Sequence, residues 1–334
     1  MKNWSEFIFN DEPFFEEKAK QVFKHQFKHN AVYRNYCEAL DVGTDILEGV
    51  QYDINQVPLL PIKAFKDTTV TSSPDKEPEL TFKSSGTSDM QRSIHTVVDA
   101  SLYEESLLRG FQQFYELEDT VIWGYTPGYS DNPDSSLVYM IQKLIDQDNS
   151  GLSRFLPLDE PINPGAVKEV KRQRKQLIIF GAAFGLLDLL ELQDIDLPSD
   201  SIIIETGGMK TYKREISRVE LHKKLASGFG LNGNRIHSEY GMAELLSQAY
   251  ATGGQWFNTV PWMQVSIRNP QDPAEVLSPF DEGLIGIIDL ANVHSCSFLL
   301  TDDMGVMDER GRFKVLGRRN PNNPRGCNFL IEVD

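Results

Sequence analysis

Apolar residues recur at helical spacing between residues 11 and 41, at Phe14, Phe15, Ala19, Val22, Phe23 and Phe27, then at Val32, Tyr33, Tyr36 and Leu40, which predicts two helices. Pro58 and Pro61 interrupt helical continuation, so Val57–Phe65 is expected to enter the main body extended. Thr69–Thr71 and Leu80–Phe82 read as strands around the polar turn Ser72–Glu79, and Ile94–Val98 as the returning arm of the loop that follows Phe82. From there the pattern alternates. Helices are predicted at Ala100–Phe114, Ser135–Asp146, Ala166–Lys175, Ala183–Leu192 and Lys213–Ser227, and strands at Thr120–Tyr125, Leu177–Phe180, Ser201–Glu205 and Arg235–Ser238. Such alternation implies an α/β fold with a mostly parallel sheet and flanking helices. After Ala251 the strands become short (Met263–Ile267, Gly286–Asp289, Phe298–Leu300) and are punctuated by Asn269-Pro270 and Asp281-Glu282-Gly283, as expected of a smaller β-rich subdomain.

Composition narrows the function classes. The 334 residues are 40% hydrophobic and 25% charged, ordinary globular values, and no apolar run reaches the roughly 18 residues of a membrane span. A formal net charge of −16 repels a polyphosphate backbone, which argues against a nucleic-acid partner but leaves room for a single nucleotide held by local cations. The N-terminus lacks the apolar core of a secretory signal, and Cys37, Cys296 and Cys327 have neither metal spacing nor the number of a disulfide framework; a cytoplasmic protein with reduced thiols is expected.

One stretch stands out chemically. Lys83-Ser84-Ser85-Gly86-Thr87-Ser88-Asp89-Met90-Gln91-Arg92 sets four hydroxyls and a glycine between two cations, a composition that turns backbone N–H groups and neutral donors towards an anion. The plain alternative is a solvated turn between strands. The P-loop motif GxxxxGK[ST] is absent, so any triphosphate needs a different cradle.

Ser84-Ser85-Gly86-Thr87-Ser88 with Arg92 resembles the phosphate loop of adenylate-forming enzymes, the acyl-CoA synthetase and luciferase superfamily. His237-Ser238-Glu239-Tyr240-Gly241-Met242-Ala243-Glu244 resembles its Tyr-Gly-x-Thr-Glu motif, and Thr301-Asp302-Asp303 with Gly317-Arg318 its ribose-binding Asp and hinge Gly-Arg. Within that superfamily most of the chain, including Val57–Lys66 and a cysteine close to the C-terminus, resembles the acyl-protein synthetases of LuxE type. The resemblance implies the large domain of adenylate-forming enzymes without the usual C-terminal domain and its late catalytic lysine. It implies ATP and Mg2+ as cofactors and a carboxylic acid, a fatty acid in the LuxE type, as substrate.

It also implies roles. Lys83, Ser84, Ser85, Gly86, Thr87, Ser88 and Arg92 would hold phosphates, and Glu244 the magnesium. Gly207, Gly208 and Met209, with Tyr240 and Gly241, would hold adenine; Asp303 and Arg318 would hold ribose, with Asp302 as the competitor of Asp303. Cys327 would take the acyl group as a thioester, with Arg325 favouring its thiolate, and the roughly nine residues between Arg318 and Cys327 span up to about 30 Å when extended. Ala243 stands where the family usually has a threonine, so one donor is missing or is supplied by Ser238. Two other outcomes stay open: transfer of the acyl group to CoA or to a carrier-protein thiol, and a non-catalytic nucleotide-binding protein. An acyl-transferase, a reductase or a carrier protein is the kind of partner implied.

The expected organisation is an N-terminal helical segment over residues 1–75, an adenylate-binding core over 76–250, the β-rich subdomain over 251–316 and a tail over 317–334 carrying Cys327. Gly228–Gly233 matches GxGxxG by letter, yet it follows a predicted helix and precedes a strand, so it is expected to be a helix-ending turn. His25 and His29, four apart beside Lys24 and Lys28, are expected on a solvated helix face and not at a metal.

Overall fold

The computed structural model describes residues 2–48, 52–84, 92–127, 133–192, 195–207, 210–211 and 214–319. The chain divides into two compact units: Met1–Leu107 with Met242–Ser247 and Thr259–Asp334, and Leu108–Gly241 with Gln248–Asn258.

In the first unit the paired N-terminal helices form at Phe15–His29 and Ala31–Ala39. Glu16 and Glu17 in the first turn of the longer helix and Lys28 and His29 in its last complement the helix dipole. Asn30 then caps the second helix by accepting from Tyr33 N–H at 3.0 Å. Their apolar faces bury Phe23 edge-on to Phe298 and Tyr33 stacked on it at 5.7 Å. Phe298 opens the long strand Phe298–Met307, which pairs antiparallel with Gly283–Asp289 and Phe313–Arg318 and parallel with Leu60–Pro61; Met263–Arg268 completes this sheet among the described residues. A separate hairpin pairs Leu80–Lys83 with Ile94–Val97. The strand expected at Thr69–Thr71 does not form, because Ser72 N–H and the Thr71 hydroxyl both donate to His294 O instead of to a ladder. His25 is only half-exposed, packed between Trp4 and His29, so the solvated face expected there is partly covered.

The second unit is the α/β sheet. Its strand order is Ala249–Ala251, Ile236–Tyr240, Ile202–Thr206, Gln176–Ala182, Thr120–Tyr125, Arg154–Phe155, parallel throughout except for the first. The central strands are buried on both faces, which is why they read as continuous apolar runs such as Ile202-Ile203-Ile204. Helices Pro164–Arg172, Ala183–Glu191 and Arg218–Gly228 pack Val170, Leu186, Leu189, Leu221 and Leu225 onto that core. The last helix starts at Arg218 and not at Lys213, because Ser217 caps it, accepting from Glu220 N–H at 3.1 Å. It ends in the expected glycine turn, with Gly230 at φ +67.

Candidate active site

In the first unit the base of the hydroxyl-rich loop is closed by two serines. Ser84 N–H donates to Ser93 O at 3.1 Å, and Ser93 N–H donates to Ser84 Oγ at 3.0 Å. Lys83, opposite Ile94 in the ladder, and Arg92 flank the loop and are both half-buried. Ser85, Gly86, Thr87 and Ser88 lie outside the described residues.

Glu244 comes to the same hairpin from far along the chain: its side chain is buried and hydrogen-bonded by Ser93. Burial raises its pKa above the usual carboxylate range, opposed by the Ser93 hydrogen bond and by the charges of Arg318 and Lys66. The segment that carries it, Met242–Ser247, is irregular, and side chains hold it where a ladder would otherwise do so. His95 Nδ1 lies 2.8 Å from Ala243 O, and Asn292 Nδ2 donates to Glu244 O at 2.8 Å. The Asp289 carboxylate accepts from Leu246 N–H at 2.9 Å, Ser247 N–H at 3.0 Å, the Ser247 hydroxyl at 2.6 Å and Ala291 N–H at 3.1 Å. Full burial nonetheless pushes the Asp289 carboxyl up to about 6.

Asp303 and Arg318 are direct partners on antiparallel strands, with Arg318 Nε 3.4 Å from Asp303 Oδ1. Asp303 is mostly covered, whereas Asp302 is half-exposed and 3.7 Å from Lys63 Nζ.

In the second unit, Gly207, Tyr240 and Gly241 sit at the carboxyl ends of adjacent parallel strands, the end where open α/β sheets bind ligands. Gly207 takes φ +97 with open space where a Cβ would stand, so its backbone can be approached closely. Tyr240 is buried edge-on to Phe257 at 6.0 Å, and a Cβ on Gly241 would come within 2.3 Å of Glu239 Oε1. Glu239 is itself fully buried and accepts from the Thr206 hydroxyl; burial, reinforced by the Glu205 charge, pushes its carboxyl up to about 7. Glu205 behaves oppositely. Burial opposes its ionisation, but Arg218 Nε at 3.3 Å, His222 and the Ser238 hydroxyl hold it below the usual range. Ser238 donates its hydroxyl to Glu205, with His222 Nε2 also 3.1 Å away. Gly208 and Met209 lie outside the described residues.

Two of the three cysteines are poor nucleophiles. Cys37 and Cys296 are buried, with the Cys37 thiol pushed up to about 12 and Cys296 higher still. Cys327 lies outside the described residues. Sequence reasoning passed over Lys66, Ser93 and His95; Lys66 stands within the Val57–Lys66 stretch, but nothing local marked it as a neighbour of Glu244. A groove of about 400 Å³ along helix Arg218–Gly228, reaching His222 and Lys223, is lined by none of the candidate residues among those described. No helix among the described residues is long and apolar enough to cross a membrane.

Comparison with known proteins gives this arrangement a family. The acyl-protein synthetase LuxE family model matches residues 3–118 and 157–333. The long-chain-fatty-acid–luciferin-component ligase of Vibrio harveyi is 24% identical over 314 residues, covering 87% of this chain and 78% of its own. The ligase of the same name from Aliivibrio fischeri is 21% identical over 341 residues, covering 92% and 85%. A crystal structure of 2-hydroxyisobutyryl-CoA ligase in an open conformation, with 2-HIB-AMP and CoA, superposes at a TM-score of 0.65 with 11% identity over 90% of this chain and 68% of that one. ATP-bound MatB from Rhodopseudomonas palustris superposes at 0.52 with 15% identity over 71% and 47%. At these identities the structural likeness establishes a shared fold, that of adenylate-forming ligases, and the family match establishes the rest: the chain belongs to the acyl-protein synthetase LuxE family of ligases.

Proposed function

We propose that this chain uses ATP to activate a fatty acid as its acyl-adenylate and then passes the acyl group to Cys327. The observation that carries the reading is the meeting of Glu244 with Ser93 at the base of the phosphate-loop hairpin, with Arg318 and Lys66 acting on the same carboxyl. A nucleotide-borne Mg2+ is held by one or two carboxylates together with phosphates and water, and a single buried carboxylate beside a hydroxyl-rich loop suits that mode. Bound at Glu244, magnesium would neutralise charge on the departing pyrophosphate.

The chain's own groups divide the remaining work. Lys83, Ser84–Ser88 and Arg92 hold phosphate oxygens, Gly207–Met209 with Tyr240 and Gly241 receive adenine, and Asp303 with Arg318 takes the ribose. The acid's carboxylate oxygen attacks the α-phosphorus and pyrophosphate leaves; the Cys327 thiolate then attacks the acyl carbon, forming a thioester and releasing AMP. The names of the relatives favour a long-chain acid, and the inertness of Cys37 and Cys296 supports Cys327 as acceptor. From Cys327 the acyl group would pass to a transferase, reductase or carrier protein. Incubating the protein with ATP, Mg2+ and acids of graded chain length, followed by intact-mass spectrometry before and after hydroxylamine, tests the reading. A hydroxylamine-labile acyl adduct is expected, and its absence with every acid, together with no pyrophosphate release, overturns it.

A further inference from the structure

His95 occupies the returning strand of the phosphate-loop hairpin, two residues after Ser93, and is almost fully buried. Both ring nitrogens are engaged: Nδ1 lies 2.8 Å from Ala243 O and Nε2 lies 2.9 Å from Ser295 Oγ. A carbonyl oxygen only accepts, so Nδ1 carries the proton; in a neutral ring Nε2 then accepts from the Ser295 hydroxyl. Phe65, edge-on at 5.4 Å, fixes the ring plane from one side. The ring therefore has one tautomer and one orientation, set by three neighbours.

The acceptor is what gives this contact its meaning. Ala243 is the residue before Glu244, in a segment tied down by side chains: Asn292 and Asp289 hold it from the antiparallel sheet and the turn that follows, and His95 holds it from the hairpin. Ser93 also ties the hairpin to this segment, but through the Glu244 carboxyl itself, and a carboxylate that binds a cation must share or give up such a donor. We infer that His95 is the positioning residue of this active site, keeping the main chain at Glu244 in register with the phosphate loop through Ala243 O while the Glu244 side chain engages magnesium. The inference rests on the reading of Glu244 as the magnesium ligand and extends it to a residue that touches neither metal nor nucleotide.

Outer partners that orient a metal ligand typically contribute 10- to 100-fold in affinity or activity, which sets the expected size. His95→Asn places an amide N–H close to where Nδ1 stood and retains the bond to Ala243 O. His95→Gln instead reaches towards Ser295 and loses it. Magnesium-dependent ATP binding, followed by calorimetry, and the magnesium dependence of ATP–pyrophosphate exchange are both expected to weaken about tenfold in His95→Gln, with the KM for the acid unchanged, and to recover to within about threefold of wild type in His95→Asn. Equal behaviour of the two variants, or wild-type magnesium dependence in His95→Gln, overturns the inference. Wild-type protein supplies an independent check: nitrogen-15 spectra of labelled histidine are expected to show the Nδ1–H tautomer for His95, and an Nε2–H tautomer would overturn the inference even if a variant fails to fold. Glu244→Gln separates the two layers. If it leaves the magnesium dependence intact, the reading of Glu244 fails and the inference goes with it; if it abolishes that dependence while His95→Gln matches wild type, only the inference about His95 fails.

Discussion

Glu239 offers a stability prediction whose sign and size both follow from its surroundings. The residue accepts from the Thr206 hydroxyl on the neighbouring strand and lies within electrostatic reach of Glu205 and Tyr115, and burial pushes its carboxyl up to about 7 from the usual 4.5. Because the folded pKa is raised, the folded state binds more protons than the unfolded state between these values. Its contribution is therefore fully present below pH 4.5 and is lost as pH rises to 7. The separation of the two values corresponds to about 3 kcal/mol in total, of which about 1.4 kcal/mol is already lost at pH 5.5, leaving about 2 kcal/mol between pH 5.5 and 8.5. Buried histidines act in the opposite direction: His95 and His237, pushed down to about 4, add stability as pH rises towards 6.5, so the slope of the wild-type protein alone is a mixture.

Glu239→Gln isolates the carboxyl, since its amide oxygen still accepts from Thr206 but cannot ionise. Urea unfolding of both proteins at pH 5.5 and 8.5, read as a double difference, is expected to show the variant gaining about 2 kcal/mol on the wild type at the higher pH. A double difference below about 0.5 kcal/mol, or one of opposite sign, would show that the carboxyl is not held protonated between these strands, and the reasoning from burial would fail.

Three further outcomes are expected. Asp289→Asn sets an NH2 group against two of the four donors that converge on the carboxylate, and is expected to cost about 3 kcal/mol in denaturant unfolding. Combined Thr87→Ala and Arg92→Ala is expected to lower ATP–pyrophosphate exchange by about two orders of magnitude while the melting temperature stays within a few degrees, the loop assignment being wrong if exchange is unchanged. Cys327→Ser is expected to retain pyrophosphate exchange and lose hydroxylamine-sensitive labelling by radioactive acid; labelling that persists, or maps to Cys37 or Cys296, would move the acceptor to CoA or a carrier thiol.

Much of the fold is legible because it is local. The apolar stripe of Phe15–His29 and the unbroken runs at Ile202–Thr206 and Gln176–Ala182 state their secondary structure without help from the rest of the chain. The missed start of the helix at Arg218 was also written locally, in Ser217 and Glu220, and a reading that weighted the capping pattern above apolar spacing would have found it. Thr69–Thr71 is different: its β-branched residues favour a strand, yet its hydrogen bonds go to His294, more than two hundred residues away, and no local pattern reveals that. The same holds for the site. Glu244 is singled out by its motif, but Ser93, His95 and Lys66 act on its neighbourhood only through tertiary contact, and each has an ordinary local context: Ser93 just before a strand, His95 within it and Lys66 in a short helix beside prolines.

This distribution of signal has a physical reason. A strand end is fixed by its ladder, so residues such as Gly207 and Tyr240 inherit their positions from the sheet and announce themselves through motif and spacing. Glu244 leaves the sheet and has no ladder of its own, so its position depends on donors and acceptors contributed by other elements: the His95 ring, the Asn292 amide and the Asp289 carboxylate. Each is buried, where an unmatched polar group is costly, and each therefore reports an error in the others. Removing Asp289 is accordingly expected to disturb magnesium dependence as well as stability, because the segment it anchors is the one His95 keeps in register. A variant that loses stability while keeping wild-type magnesium affinity would show that the anchors act independently.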